Sequence, residues 1–552
     1  MSRFLKDIFL YDQDSPLIFT RFYFWGFFVV VLGIYSIIYK KKALRNAYLF
    51  LVSLFFYYKT GGLFFFILLF STFTDFYIGH AIYNSKTSLG KRLFVALSVF
   101  LNLSILAFFK YDYFFTETIN TVFNTNFEVV THAAKWSNFF LGTHFDLGKI
   151  LPPVGISFFT FQTISYSIDV YKEKVEPVRS ILDFGFYVSF FPQLVAGPIV
   201  RAAHFIPQLY KDFSLSKQEF GQAVFLILNG LMKKMFVGDF IAVNLIDRVF
   251  ANPHTYTGFE NLLALYGYSL QVYCDFSGYT DIAIGVALLM GFHLPVNFNS
   301  PYKAKNTGEF WKRWHISLSS WLKDYLYIPM GGNREGSFFT WISLSTILIF
   351  VVMLAGKLWL VPVFIAVIMV IWLLARFFPA VRKHITTNIN IMLTMLLGGL
   401  WHGSNWTFVM WGGLNGVGVI VYKYWRKISP YENSTHWIAN AWKIFLTFNF
   451  ITFTRIWFRG ETWKGTMDLL HQVTASFGGK LVPGMALAYW KVILMMMFGL
   501  VVHWLPASVK DRYRQWFIQT PVWLKIIICV TVVFIIYQVV SAGIQPFIYF
   551  QF

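Results

Sequence analysis

Charge is scarce in this chain. Of its 552 residues only 13% are Asp, Glu, Lys or Arg, against about 25% in a typical soluble domain. Length alone would suggest several globular domains, but apolar runs recur from Leu17 to Phe547 with no long polar block between them. A soluble multidomain protein is excluded, and one membrane-embedded body is expected. Acidic residues are the scarcer sign, 26 against 46 basic, for a net charge of +20. On a soluble chain that balance would raise nucleic-acid binding. Here the cations sit in short clusters between apolar runs: Lys40, Lys41, Lys42 and Arg45; Lys423, Arg426 and Lys427; Lys510, Arg512 and Arg514. Cytoplasmic loops obeying the positive-inside rule look like this, so no nucleic-acid partner is expected. Cysteine is nearly absent. Cys274 and Cys529 lie far apart in apolar surroundings, which excludes a disulfide framework and a cysteine metal site.

Other absences narrow the chemistry. There is no GxxxxGK[ST], hence no ATP-driven pump signature. There is no HExxH, which disfavours the common intramembrane zinc protease, and no GxSxG nucleophile elbow. Internal repeats and low-complexity segments are lacking. The opening MSRFLKDIFLYDQDSP has no short apolar core followed by a small-residue cleavage site. The first span, about residues 17–38, is therefore expected to be retained.

What is present is apolar and aromatic. Hydrophobic residues make up 57% of the chain, with a mean hydropathy of +0.56. Twenty Trp and thirty Tyr suit anchoring at the headgroup level. The sixty-five Phe read as composition bias as much as function. A span needs about twenty apolar residues. Candidates fall near 17–38, 43–58, 61–83, 92–109, 180–200, 219–247, 261–291, 338–356, 358–376, 388–402, 405–423, 440–458, 484–505 and 523–545. The segment 151–171 is broken by Pro152, Pro153 and Gly155 and reads as re-entrant. Irregular backbone at membrane depth survives only beside protein or a water-filled cavity, so it points to a cavity. The expected fold class is an all-α polytopic membrane protein with roughly 11–15 membrane-inserted helices. The longest non-spanning part, 111–148, carries Asp112, Glu117, Glu128 and Asp146 against Lys135, and by charge belongs outside. The stretch 302–334, with Lys303, Lys305, Lys312, Arg313, Lys323 and Arg334, belongs inside or at the inner interface.

Ionisable residues inside membrane segments are costly and mark candidate functional sites. The first cluster is Leu400-Trp401-His402-Gly403-Ser404-Asn405-Trp406, with apolar sequence on both sides. Burial favours the neutral imidazole, the form able to accept a proton, while Gly398, Gly399 and Gly403 leave room for a close approach. Hydrogen-bonding glue between helices is the alternative for His402. The second cluster runs from Phe310 to Trp321 and holds Arg313, Trp314 and His315. Its three tryptophans and two basic residues equally suit an interface helix. The third, Gln271 to Asp281, places Asp275 and Asp281 six apart. On one regular helix they point in different directions and are no catalytic pair, though Gly278 would allow a break between them. Hydrogen bonding to neighbouring backbone is the preferred role. With the other motifs absent, a buried histidine among hydroxyls and glycines fits direct transfer, taking a proton from an acceptor alcohol that attacks a thioester or ester carbonyl. Cys274 is read as a small buried core residue in preference to a covalent acyl carrier.

Four blocks carry a resemblance to a known family: PPVGISFFTFQTISYSIDVY (152–171), DFGFYVSFFPQLVAGPIVRAAHFIPQL (183–209), the long block from Tyr273 to Arg334 containing EFWKRWHISLSSW, and LLGGLWHGSNWTFVMWGGLNG (396–416). In these the chain resembles the membrane-bound O-acyltransferase (MBOAT) family, most closely its bacterial alginate and peptidoglycan O-acetylase branch. The resemblance implies a funnel or tunnel through the bilayer, with His402 as the catalytic histidine and His315 as the second. Trp401, Asn405, Trp314, Arg313 and Asp275 become candidate substrate-binding or supporting positions. It implies no metal and no bound cofactor. The donor would be cytoplasmic acetyl-CoA or an acyl carrier thioester, and the acceptor an extracytoplasmic polysaccharide. A periplasmic esterase-like partner and a lipid setting in a bacterial cell (inner) membrane complete the picture. Expected regions are N-terminal helices and outer loop (1–150), an MBOAT core (151–425) and C-terminal helices (426–552). An apolar stretch at 338–377 reads as an insert, one hairpin of two spans turning near Gly356-Lys357. The rivals are D-alanyl transfer toward teichoic acid-type polymers and, from another class, a transporter or flippase with proton-relaying histidines.

Overall fold

A bilayer offers the backbone no hydrogen-bonding partner, so an apolar chain closes its N–H and C=O groups within each segment. Helix is the local solution, and the computed structural model follows it. The structure describes residues 9–12, 15–129, 152–334, 336–355, 357 and 359–539, and among these every regular element is helical. The protein is an all-α polytopic membrane protein. Among the described residues, Lys42–Asn84, Ser88–Phe123, Gly258–Leu289 and Leu360–Phe377 are long and apolar enough to cross a membrane. Two bent pairs, Gly479–Ala488 with Trp490–Trp504 (82°) and Ala507–Gln519 with Val522–Gln538 (118°), bring the number to six. The remaining expected segments are shorter, interrupted or more polar.

The chain divides into two compact units. One comprises Met1–Asn102, Val154–Leu318 and His436–Phe552, the other Leu103–Pro153 and Ser319–Thr435.

In the first unit, helices α1 (Phe22–Ile38), α2 (Lys42–Gly61), α3 (Phe65–Asn84) and α4 (Ser88–Leu106), whose last turn leaves the unit, precede a set of buried elements. Helix α5 (Ile156–Tyr171) starts at Gly155, whose φ is +74° and where a Cβ would lie 2.6 Å from the Leu194 carbonyl. All of α5 except Ile168 and Tyr171 is buried. The expected span at 180–200 is not one helix. Ile181–Ser189 is helical, Phe191–Leu194 adds one turn, and the chain then runs irregularly to Arg201, buried throughout from Phe184 to Val200. Pro192, Gly197 and Pro198 break the helix, and surrounding protein shields the freed backbone. The phenylalanine excess has a use here: the rings of Phe186, Phe190, Phe205 and Phe292 all lie within 5.7 Å of one another.

Helix α6 (Lys217–Leu231) begins with a Ser216–Glu219 capping box and runs into a π-helical stretch, Met232–Asp239. It crosses α7 (Gly258–Leu289), which is 83% buried over its apolar window. A Cβ on Gly230 would meet the Gly278 carbonyl at 2.4 Å, and one on Gly285 the Ala223 carbonyl at 2.7 Å. Gly278 therefore serves a close crossing, and α7 continues unbroken through it.

In the second unit, α8 (Asp112–Phe123) continues from a π-helical turn, Ala107–Tyr111. Part of the expected outer loop at 111–148 is thus helical, and its remainder from 130, with Lys135 and Asp146, lies outside the described residues. The apolar stretch at 338–377 folds as α9 (Phe338–Leu354) and α10 (Leu360–Phe377). They line one groove through Trp341, Leu348 and Val352 on one side and Val361, Ile368 and Trp372 on the other. The expected turn residue Gly356 lies outside the described residues. Helix α10 is 6% buried over its apolar window, as a lipid-facing helix should be. Helices α11 (Pro379–His402) and α12 (Trp406–Trp425) follow.

Candidate functional site

His402 is the last residue of α11, 3% exposed. Gly403 is extended (φ −163°, ψ 153°) and ends the helix. The glycines that flank the histidine bring α11 against α12. A Cβ on Gly399 would meet the Phe408 carbonyl at 2.3 Å, and one on Gly403 would strike the Phe408 ring at 2.1 Å. This crossing seats the imidazole edge-on between two indoles, Trp401 (centroids 5.0 Å, 81°) and Trp411 (5.1 Å, 89°). Trp401 is 4% exposed. Asn405 has a backbone task, since its Oδ1 accepts the Thr407 N–H at 3.1 Å as N-cap of α12.

The carbonyls at the end of α11 are met from the segment before α8. Lys110 Nζ donates to the Trp401 carbonyl at 2.8 Å and to the His402 carbonyl at 3.1 Å, and the Tyr111 hydroxyl donates to the Leu400 carbonyl at 2.8 Å. Sequence reading missed both residues. The available signal was a lysine ending the apolar run at 92–109.

The remaining sequence-predicted residues lie in the other unit. His315 is fully buried between the short helices Thr307–Arg313 and Ile316–Trp321, with its ring edge-on to Phe276 at 4.6 Å. Its φ is +43°, a region that histidine visits more readily than most residues. Hydrogen bonds on both sides fix this turn. Asn299 N–H donates to the Arg313 carbonyl (2.9 Å) and Ile316 N–H to the Asn297 carbonyl (2.9 Å). Ser317 N–H and Oγ both donate to Asn297 Oδ1 (3.1 and 2.9 Å), and Ser317 Oγ accepts the Ile199 N–H (3.0 Å). Burial pushes the imidazole down to about 3 and so keeps it neutral.

Arg313 and Trp314 hold the same turn. Arg313 donates through Nε and Nη2 to Glu309 Oε1 (2.9 and 2.8 Å) and through Nη1 to the Asn299 carbonyl (3.1 Å). Trp314 stacks on Phe310 (5.6 Å, 16°) and has the Arg455 guanidinium 4.4 Å over its ring. Asp275, 2% exposed, pairs with Lys234, which also reaches Asp239 at 2.8 Å. Asp281 takes Lys233 and Asn229, both at 2.7 Å. The two carboxylates do act separately, as their spacing predicts, but their partners are side chains of α6 and its π-helical extension where neighbouring backbone was expected. Two adjacent lysines inside the apolar run at 219–247 were the overlooked signal. Cys274 is buried. Among the described residues no three His, Cys, Asp or Glu side chains gather as a metal site.

Known proteins resemble this chain in sequence. The family described as MBOAT, membrane-bound O-acyltransferase, matches residues 158–388, a range that includes His315 and ends before His402. The "Peptidoglycan O-acetyltransferase" of Helicobacter pylori is 31% identical over 84% of this chain and 80% of its own. The "Probable alginate O-acetylase AlgI" of Pseudomonas aeruginosa is 33% identical over 86% of this chain and 79% of its own. The "Teichoic acid D-alanyltransferase" of Bacillus subtilis is 28% identical over 56% of this chain and 69% of its own.

Proposed function

Since this chain belongs to the membrane-bound O-acyltransferase family, we propose that it moves an acetyl group from a cytoplasmic thioester toward hydroxyls of an extracytoplasmic polysaccharide, with His402 as general base. The chain is an O-acyltransferase and a multi-pass membrane protein; acceptor, donor and base are the proposal. The observation that carries it is the His402 imidazole, buried at the end of α11 between Trp401 and Trp411. An imidazole in its neutral form can accept a proton from a hydroxyl.

The neutral ring takes the proton of an acceptor hydroxyl as that oxygen bonds to the thioester carbonyl carbon. The tetrahedral intermediate then collapses, the carbon–sulfur bond breaks, and the imidazolium returns its proton to the departing thiolate. Trp401 shapes the acceptor side. Asn405, Arg313, Trp314 and Asp275 support the fold around the two histidines, and His315 is the second histidine of the reaction cycle. The donor is acetyl-CoA or an acyl carrier thioester. The protein sits in a bacterial inner membrane, and an esterase-like periplasmic partner completes transfer to the polymer. O-acetylation ranks ahead of D-alanyl transfer because the O-acetylase relatives align over more than four-fifths of this chain and the D-alanyltransferase over 56%.

The test follows label from radiolabelled acetyl-CoA in membranes carrying the wild type, His402→Ala or His315→Ala, with the amount of folded protein measured in each. Abolished transfer in His402→Ala at wild-type protein level supports the base. Transfer at the wild-type rate sinks it, and a silent wild type rejects acetyl-CoA as donor.

A further inference from the structure

We propose that Lys110 is a positioning residue for the reaction: its side-chain amine ties off the end of the helix that carries His402 and thereby sets where the imidazole stands. The inference rests on the reading of His402 as base.

The last four carbonyls of any α-helix lack an intrahelical partner. Many helices meet this need with a left-handed residue just past the end, whose N–H folds back onto the final turn. Here that position is Gly403, and it is extended. The end of α11 is closed from another segment. Lys110 Nζ reaches both the Trp401 and the His402 carbonyls, and Tyr111 reaches Leu400. Three consecutive carbonyls are thus held by two consecutive residues of the π-helical turn Ala107–Tyr111. A π turn packs more residues into each revolution than an α turn and occurs often at functional sites.

The same Lys110 Nζ lies 6.0 Å from the centroid of the Trp401 ring, one wall of the imidazole's slot. The bond to the His402 carbonyl matters most, because that carbonyl and the imidazole hang from the same Cα. A shift of the final turn carries the ring with it, out from between Trp401 and Trp411. Misplacing a reacting group by about 1 Å costs on the order of 100-fold in rate.

The experiment compares the full-length wild type, Lys110→Met, Lys110→Arg and Tyr111→Phe, each purified into lipid nanodiscs. The readouts are steady-state label transfer from radiolabelled acetyl-CoA and folded yield by gel filtration. Methionine keeps the length of the stem and removes the donors. The expected result for Lys110→Met is a kcat lower by about 10- to 100-fold with KM for acetyl-CoA unchanged, the mark of an interaction that serves the transition state. Lys110→Arg, which retains charge and donors, regains most of the rate. Wild-type kcat in Lys110→Met, a loss that only tracks missing folded protein, or a change in KM alone overturns the proposal. If Lys110→Met yields no folded protein, Tyr111→Phe decides, since it removes only the Leu400 bond: a lowered kcat at unchanged KM supports the device and an unchanged kcat refutes it. His402→Ala run beside them separates the two levels. Should His402→Ala be silent while Lys110→Met runs at full rate, only the role of Lys110 falls. Should His402→Ala run at the wild-type rate, the underlying reading falls and leaves Lys110 nothing to position; a wild type silent with acetyl-CoA rejects that donor, and the same variants are then compared with an acyl carrier thioester.

Discussion

The backbones of Gly399 and Gly412 touch. A Cβ added to Gly399 would lie 3.0 Å from the Gly412 Cα, and one added to Gly412 would lie 3.1 Å from the Gly399 Cα. Helices α11 and α12 therefore meet main chain to main chain less than one turn before His402. The spacing between the histidine and Trp411 is set there, before any side-chain rotamer is chosen. Small residues at helix crossings allow this approach in membranes.

Gly399→Ala should accordingly be costly. Its methyl would sit 2.3 Å from the Phe408 carbonyl, and overpacking of that kind typically costs about 1–3 kcal/mol. The expected result is a lower melting temperature in detergent and reduced label transfer. Gly26→Ala is the contrast: nothing lies within 4 Å of the added carbon, and the gain in helix propensity, up to about 1 kcal/mol, should leave melting unchanged or higher. Equal melting of the two variants would refute the close crossing.

Lys234 pairs with both Asp275 and Asp239, and all three side chains are buried. Removing one partner of a buried ion pair leaves an uncompensated charge and costs about 3–5 kcal/mol. Lys234→Met should be the more damaging single change here, and adding Asp275→Asn and Asp239→Asn to it should restore part of the loss. Thermal unfolding of the single and triple variants checks this. A triple variant less stable than Lys234→Met would show that the carboxylates have further essential partners.

Asn405 was expected among the substrate-binding or supporting residues, and its side chain caps α12. The two roles separate by substitution. Asn405→Ala removes the cap, at about 0.5–2 kcal/mol. Asn405→Asp retains the acceptor and adds a charge of the sign a helix N-terminus favours. If capping is the role, the aspartate variant melts and transfers label like the wild type. A raised KM for the acceptor in a stable Asn405→Asp would instead mark a substrate contact.

His315 makes stability depend on pH. Its ordinary value is 6.5, and burial lowers it to about 3 in the folded protein. Between those values the unfolded chain binds a proton that the folded chain refuses, so stability rises with pH through this window and is complete above 6.5. Asparagine removes the titration and tolerates a positive φ. The rise of melting temperature from pH 4 to pH 6 should be shallower in His315→Asn than in the wild type. Coincident slopes would mean that the ring is not held neutral.

Much of this was legible in the sequence. Scarce charge and recurring apolar runs foretell helices in a bilayer, and LWHG, with its glycines, marks the end of α11. What stayed hidden depends on tertiary pairing. Lys110 and Tyr111 lie nearly 300 positions from the carbonyls they bind, and no local pattern announces such a partner. The π-helical stretch at Met232–Asp239 evades a 3.6-residue periodicity, so the inward set of Lys234 could not be read from spacing. Asp75 is a similar case. It lies among Ser98, Asn102 and Ser167, a polar group that only the packing of α3, α4 and α5 assembles. The false span at 180–200 failed for the opposite reason: its apolar composition reflects burial in protein, which hydropathy does not distinguish from burial in lipid.

The left-handed backbone at His315 sorts the possible occupants of that position twice. In a library of all replacements screened for folded protein, survivors should be ranked by tolerance of positive φ, with glycine, asparagine and aspartate ahead and β-branched residues lost. If His315 has the catalytic role proposed for it, a screen for acyl transfer ranks the same library by ring chemistry instead. Drift at this position is then confined by geometry even under conditions where catalysis is not selected.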